Sequence, residues 1–196
     1  MKMGLPLEKR EQHFTYGDYR QWPDDERWEL INGVAYNMCA APNRDHQRIS
    51  GELGNQLHNW LKGKPCRVYA APFDVLVPKW TDQADDEVDT VVQPDLVVYC
   101  DRTRLTPAGA RGAPDLAVEI LSPWTSKKDQ NEKFRLYEQN GVREYWVIDG
   151  GNKWLQIYRL QDGRYGVPET FLGGGQAASV VLESFVCPVD TLFVDD

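Results

Sequence analysis

The chain has no apolar run near the roughly 20 residues that span a bilayer, and its opening MKMGLPLEKREQ has no apolar signal core. Both absences set the expectation of a soluble, cytoplasmic protein with no membrane partner. Cysteine is sparse. Cys39, Cys66, Cys100 and Cys187 are scattered and form no CxxC pair, which argues against a zinc site. Three of them, Cys39, Cys66 and Cys100, lie in apolar or strand-like segments, so buried free thiols are the expectation. The 3 histidines do not cluster either. Basic charge is also short: 22 Lys and Arg against 30 Asp and Glu leave a net charge of −8. Such a chain does not coat nucleic acid through a broad basic face. It remains compatible with an enzyme that gathers carboxylates around a metal and keeps its cations local. No solenoid repeat and no long low-complexity linker divides it. The 196 residues therefore read as a single domain, 1–196, large enough to bury a core.

What is present is a succession of strand and helix signals. WELI and VAYNM flank Asn32-Gly33, a strong hairpin signal. NRDHQRISGELGNQLHNWLKGK reads as a helix capped by Asn43 or Asp45, with Ile49, Leu53, Leu57, Trp60 and Leu61 on one face and Gly63 at its end. CRVYAAPFDVLVP, VVQPDLVVYC and APDLAVEILS are strand-like. A second helix follows, with Ser126 and Asp129 as a possible capping box and Gly141 as its C′ residue. REYWVID reads as a buried strand, and KWLQIYRL with weaker strands completes the chain. The order predicts a mixed α/β domain with a sheet flanked by helices.

Two of these strands carry acids. Glu119 sits inside the apolar run LAVEIL, where an unpaired carboxylate costs several kcal/mol. QPDLVVY opens as APDLAVE does, and an antiparallel hairpin with its loop near Pro107 places Asp95 opposite Glu119. Opposed side chains on one face sit roughly 4.5–5.5 Å apart at Cβ, and two carboxylates so close need a proton or a cation between them. A hard divalent ion such as Mg²⁺ meets that need and can activate water against a phosphodiester. Asp129, Lys133 and Tyr137 share a helix face downstream. There Lys133 can orient water or neutralise phosphate, or form an ordinary surface pair with Asp129. Asp115 reads as a strand-start residue, and Asp74 as a residue able to add a ligand.

The run PDLVVY…PDLAVEILSPWTSKKDQNEKFRLYEQNGVREYWVID, with WELINGV and PNRDHQRI upstream, resembles the Uma-type endonucleases of the PD-(D/E)XK superfamily over roughly residues 14–160. The resemblance implies a restriction-endonuclease-like core with a central mixed sheet flanked by helices, an N-terminal hairpin and C-terminal extra strands. It implies Mg- or Mn-dependent cleavage of nucleic acid, with DNA as the expected substrate, by a homodimer. Asp95 matches the aspartate of the PD motif and Glu119 the acid of (D/E)XK, the two metal ligands. Glu29, His46, Asp129, Lys133 and Tyr137 match other recurrent positions. Glu29 can complete the metal site or lie on a solvent face, and His46 can contact phosphate or simply start a helix. One departure is plain: the superfamily's lysine position holds Leu121, and Lys133 is the candidate replacement. The alternative is a catalytically silent nuclease-fold module that binds nucleic acid or protein.

Overall fold

The computed structural model describes residues 8–9, 12–23, 26–38, 43–121 and 129–194, with the backbone alone at 8–9 and 129–130. Strand β1 (Glu8–Lys9) and the short helix α1 (Tyr16–Tyr19) precede the hairpin of β2 (Trp28–Ile31) and β3 (Val34–Asn37). Asn32 and Gly33 take φ of 50° and 78°, the left-handed pair that lets a two-residue turn follow the twist of its strands. Helix α2 (Arg44–Leu61) starts at Asn43, whose side chain accepts the His46 amide and so satisfies one of the unpaired N–H groups of the first turn.

The middle of the chain holds β4 (Arg67–Ala70), β5 (Asp74–Leu76), β6 (Val91–Val92), β7 (Leu96–Tyr99), β8 (Leu105–Thr106), β9 (Gly109–Arg111) and β10 (Leu116–Leu121). A π-helical turn, Asp129–Lys133, runs into α3 (Phe134–Gln139). Then come β11 (Glu144–Asp149), β12 (Trp154–Gln161), β13 (Arg164–Tyr165), β14 (Glu169–Leu172), β15 (Gln176–Ala178) and β16 (Val186–Pro188). The first sheet has the order β1-β3-β2-β6-β5-β9-β8. The second has β13-β12-β11-β10-β7-β4, with β14 also on β12, while β15 pairs with β16.

The second sheet is covered on both faces, which is why β10 is apolar at every position but Glu119 instead of alternating. Leu116, Val118 and Ile120 pack against Ile49, Leu53, Leu57 and Leu61 of α2. Each of those α2 side chains contributes roughly 1.5–3 kcal/mol by leaving water. Ala117 faces the other way, into a cluster with Val97, Tyr145, Val147 and the α3 residues Leu136 and Tyr137. Val75, Val77 and Val92 of the first sheet join that cluster, so it ties the two sheets and α3 together. Strand alternation puts Glu119 on this inner face.

Two strand-like segments differ from expectation in the same way. Each breaks at a proline and changes sheets. Ala71-Pro72-Phe73 carries the chain from β4 to β5, and Gln93-Pro94-Asp95 carries it from β6 to β7. Proline has no N–H to give to a ladder, so it ends one pairing where the next begins. The crossings are bonded to each other, the Ala71 amide to the Asp95 carbonyl at 3.0 Å. Asp95 therefore stands where the two sheets meet.

The expectation of free thiols at Cys66 and Cys100 is corrected: they form a disulfide with an S–S distance of 2.03 Å. Arg67 pairs with Tyr99, so the adjoining cysteines are cross-strand neighbours, a proximity that a separation of 34 residues conceals. Cys187 is free and buried, whereas Cys39 and Ser126 of the expected capping box lie outside the described residues. Among the described residues no helix is long and apolar enough to cross a membrane.

Candidate active site

In the β7–β10 ladder Leu96 pairs with Val118, Val97 with Ala117 and Val98 with Leu116. One step further along, Asp95 comes opposite Glu119. The connection is not the plain hairpin loop expected, because β8 and β9 lie within it and belong to the first sheet. Asp95 Oδ2 accepts the Ile120 amide at 2.7 Å, and Oδ1 lies 3.1 Å from His46 Nε2. His46 reaches it from the first turn of α2, whose apolar face packs on the outer side of the second sheet.

The repeated Pro-Asp-Leu has a structural cause. Asp115, at the far end of the same ladder, accepts the Cys100 amide through Oδ2 at 2.6 Å. Each aspartate thus holds the amide two residues beyond the paired stretch of the neighbouring strand. They differ at the other oxygen: Asp115 Oδ1 meets the exposed Arg143 guanidinium at 2.6 Å, and Asp95 Oδ1 meets His46. Asp115 is closing the ladder at the end remote from Glu119.

Glu119 and Lys133 are 3 % and 0 % exposed. Lys133 Nζ lies 2.7 Å from Glu119 Oε1 and 2.9 Å from Glu29 Oε1. Tyr137 donates its hydroxyl to the same Glu119 oxygen at 2.7 Å, and Glu29 Oε1 also accepts the Gln93 amide at 2.8 Å. Lys133 is therefore buried on two acids instead of lying at the surface, and the side chain of Asp129 lies outside the described residues. The π-helical turn replaces the regular spacing expected between those two positions. Lys133 and Tyr137 remain four apart and converge on one oxygen. Burial, and after it the Glu119 charge, push the Tyr137 phenol well above its ordinary value, so it stays protonated and donates.

Glu29 lies neither on a solvent face nor beside Asp95 as a third acid. It is buried on Lys133. Two carboxylates, Glu29 and Glu119, stand against the Lys133 ammonium, while Asp95 is paired with His46.

Gln93, which the sequence reading missed, links this centre to a second network. Its side chain donates to Asp74 Oδ1 at 2.8 Å, Tyr19 donates to the same oxygen at 3.1 Å, and Arg27 donates to Gln93 Oε1 at 2.9 Å. The signal available was its place directly before Pro94-Asp95. Burial raises the Asp74 carboxyl above its ordinary 3.8, Glu29 adds to the rise, and the Gln93 and Tyr19 bonds oppose it. A raised carboxyl is a cost once charged: its favourable share is present at low pH and lost as pH rises through the folded-state value. Asp74→Asn keeps the oxygen that accepts both bonds. It is expected to raise the urea midpoint at neutral pH, with the gain fading as pH falls through the raised folded-state value toward the ordinary 3.8.

Among the described residues no three His, Cys, Asp or Glu side chains converge to hold a metal by themselves, so Asp74 does not join Asp95 and Glu119. Asp95 and Glu119 offer two carboxylates on adjacent strands. Hard oxygen donors in that number suit Mg²⁺ or Mn²⁺, which complete their shells with water and phosphate oxygens. The residues fit such an ion.

A mixed sheet held between α2 and α3, with acids at the start of one strand and inside the next, defines a restriction-endonuclease-like fold. The chain belongs to the Uma2 family, described as "Putative restriction endonuclease", whose model matches residues 16–190. It is similar in structure to "a putative nuclease belonging to DUF820" from Anabaena variabilis. The TM-score is 0.72 at 19 % identity, over 92 % of this chain and 97 % of that one. It is 26 % identical over 148 residues to the uncharacterised protein slr1290 of Synechocystis, covering 74 % of this chain and 73 % of that protein.

Proposed function

We propose that the chain is a Mg²⁺- or Mn²⁺-dependent endonuclease that hydrolyses phosphodiester bonds of DNA. Asp95 and Glu119 are the metal ligands and Lys133 the catalytic cation. The observation that carries this reading is the contact of Lys133 with Glu119. Residues 119 and 121 of β10 share a face, and Leu121 holds the position where the superfamily has its lysine. Lys133 reaches that same face from the turn before α3, so the ammonium is supplied by another element.

A divalent ion bound there supplies Lewis acidity toward the phosphate and a water acidified toward neutral pH. The chain's own groups do the rest. Lys133 and Tyr137 fix one Glu119 oxygen and leave the carboxylate a single orientation. Glu29 holds the ammonium in place, and His46 with the Ile120 amide orients Asp95. Asp129 is retained in this proposal as a supporting residue. The reading puts the enzyme in the cytoplasm as a homodimer.

Single-stranded DNA, duplex DNA and RNA incubated with Mg²⁺, Mn²⁺ or EDTA test the proposal. DNA cleavage is expected with either metal and not with EDTA, and Glu119→Gln is expected to lower it about a hundredfold or more. Absence of cleavage in every condition, or equal cleavage by the variant, overturns it. The silent-module reading draws on Leu121. Mn²⁺ binding that is tight in calorimetry and lost in Glu119→Gln counts against it.

A further inference from the structure

An open cleft of about 610 Å³ runs along α3 between that helix and the first sheet. One end is walled by Tyr36 and Glu132, joined by a bond of 3.3 Å from the tyrosine hydroxyl. That end adjoins the buried centre, because Tyr36 is the cross-strand partner of Glu29 and Glu132 precedes Lys133. At Asn140 the cleft continues into a second, of about 430 Å³, lined by Arg104 and Arg111. Together they make a trough leading away from the site.

The cations in this trough are not equivalent. Lys79 is held by Asp89 at 2.5 Å. Arg111 is held by Asp85, and Arg104 by the Ala113 carbonyl at 2.7 Å. Arg135 is exposed on the α3 wall, and among the described residues it has no hydrogen-bond or ion-pair partner. In a chain of net charge −8 an exposed, unpaired guanidinium on this wall is a local source of positive charge.

We propose that the trough holds a single-stranded nucleic-acid segment flanking the scissile phosphate, with Arg135 on a backbone phosphate. This rests on the nuclease reading above and narrows its substrate class. A cleft of this volume accepts about one or two nucleotides, and a base enters it only when unpaired, since a paired base keeps its edge on its partner. Arg135 supplies a forked donor that matches phosphate oxygens. The Tyr36 ring and Leu136 offer flat apolar surface to a base, and the Gln139 amide offers a donor and an acceptor to its edge.

Fluorescence anisotropy in Ca²⁺ with a labelled single strand, a blunt duplex and a duplex bearing a single-stranded overhang tests it. The wild type is expected to bind the single strand and the overhang about tenfold or more tightly than the blunt duplex. Arg135→Glu is expected to weaken both about tenfold with an unchanged melting temperature. Gln139→Glu, at another exposed position of the same wall, is expected to weaken them in the same direction. Preference for the blunt duplex, or wild-type affinity in Arg135→Glu, overturns the trough. Cleavage lost in Glu119→Gln but undiminished in Arg135→Glu removes the trough alone. A wild type that neither binds nor cuts any probe removes the nuclease reading with it.

Discussion

Asp95→Asn is expected to lower metal-dependent cleavage about a thousandfold, equal to about 4 kcal/mol of barrier, while Asp115→Asn leaves cleavage unchanged. The two aspartates follow prolines, open consecutive strands of one ladder, and each accepts one backbone amide through Oδ2. An asparagine oxygen accepts that amide equally well, so both variants keep the ladder closed. What Asp95→Asn removes is the negative charge opposite Glu119. What Asp115→Asn removes is an exposed pair with Arg143, worth about 0–1 kcal/mol. The pair of variants therefore separates charge at the site from structure shared by both ends. Cleavage rates with Mg²⁺ and urea midpoints for the three proteins decide it. Equal loss in both variants, or loss tracking stability, refutes the metal role of Asp95.

Legibility in the sequence followed the range of the interaction. The α2 face formed by Ile49, Leu53, Leu57 and Leu61 was readable because helical spacing is a local property. The β7–β10 register came out as a symmetric hairpin centred near Pro107 gives it, Leu96 opposite Val118, although β8 and β9 lie within the connection. The depth of Glu29 was not readable: its partners Gln93 and Lys133 lie in distant segments brought together by the crossing between sheets. The same holds for the cross-strand cysteines and for Asp74 on Gln93 and Tyr19. The prolines at 72 and 94 carried a signal of those crossings, since each interrupts an apolar run that otherwise reads as one strand. The echo of Pro-Asp-Leu was visible as a repeat, yet its cause, two amides held at opposite ends of one ladder, needed the third dimension.

Lys133→Met is expected to lower stability by about 3–5 kcal/mol and to abolish cleavage. The substitution keeps the length of the side chain and deletes the ammonium. Glu29 and Glu119, exposed by 0 % and 3 %, then face each other without the ammonium between them, although Glu29 still accepts the Gln93 amide and Glu119 the Tyr137 hydroxyl. Against a typical folding stability of about 5–15 kcal/mol this is a large fraction. Loss of cleavage in this variant alone does not distinguish a collapsed site from a missing cation, so the double variant Glu29→Gln, Lys133→Met carries the argument. It removes one of the two stranded charges and keeps an oxygen for the Gln93 amide. Its stability is expected to recover by about half of the loss, whereas cleavage stays lost because no ammonium reaches Glu119. Urea midpoints and single-turnover cleavage, measured side by side, read the two quantities separately. Recovery of cleavage together with stability in the double variant confines Lys133 to balancing the buried acids and removes it from the chemistry.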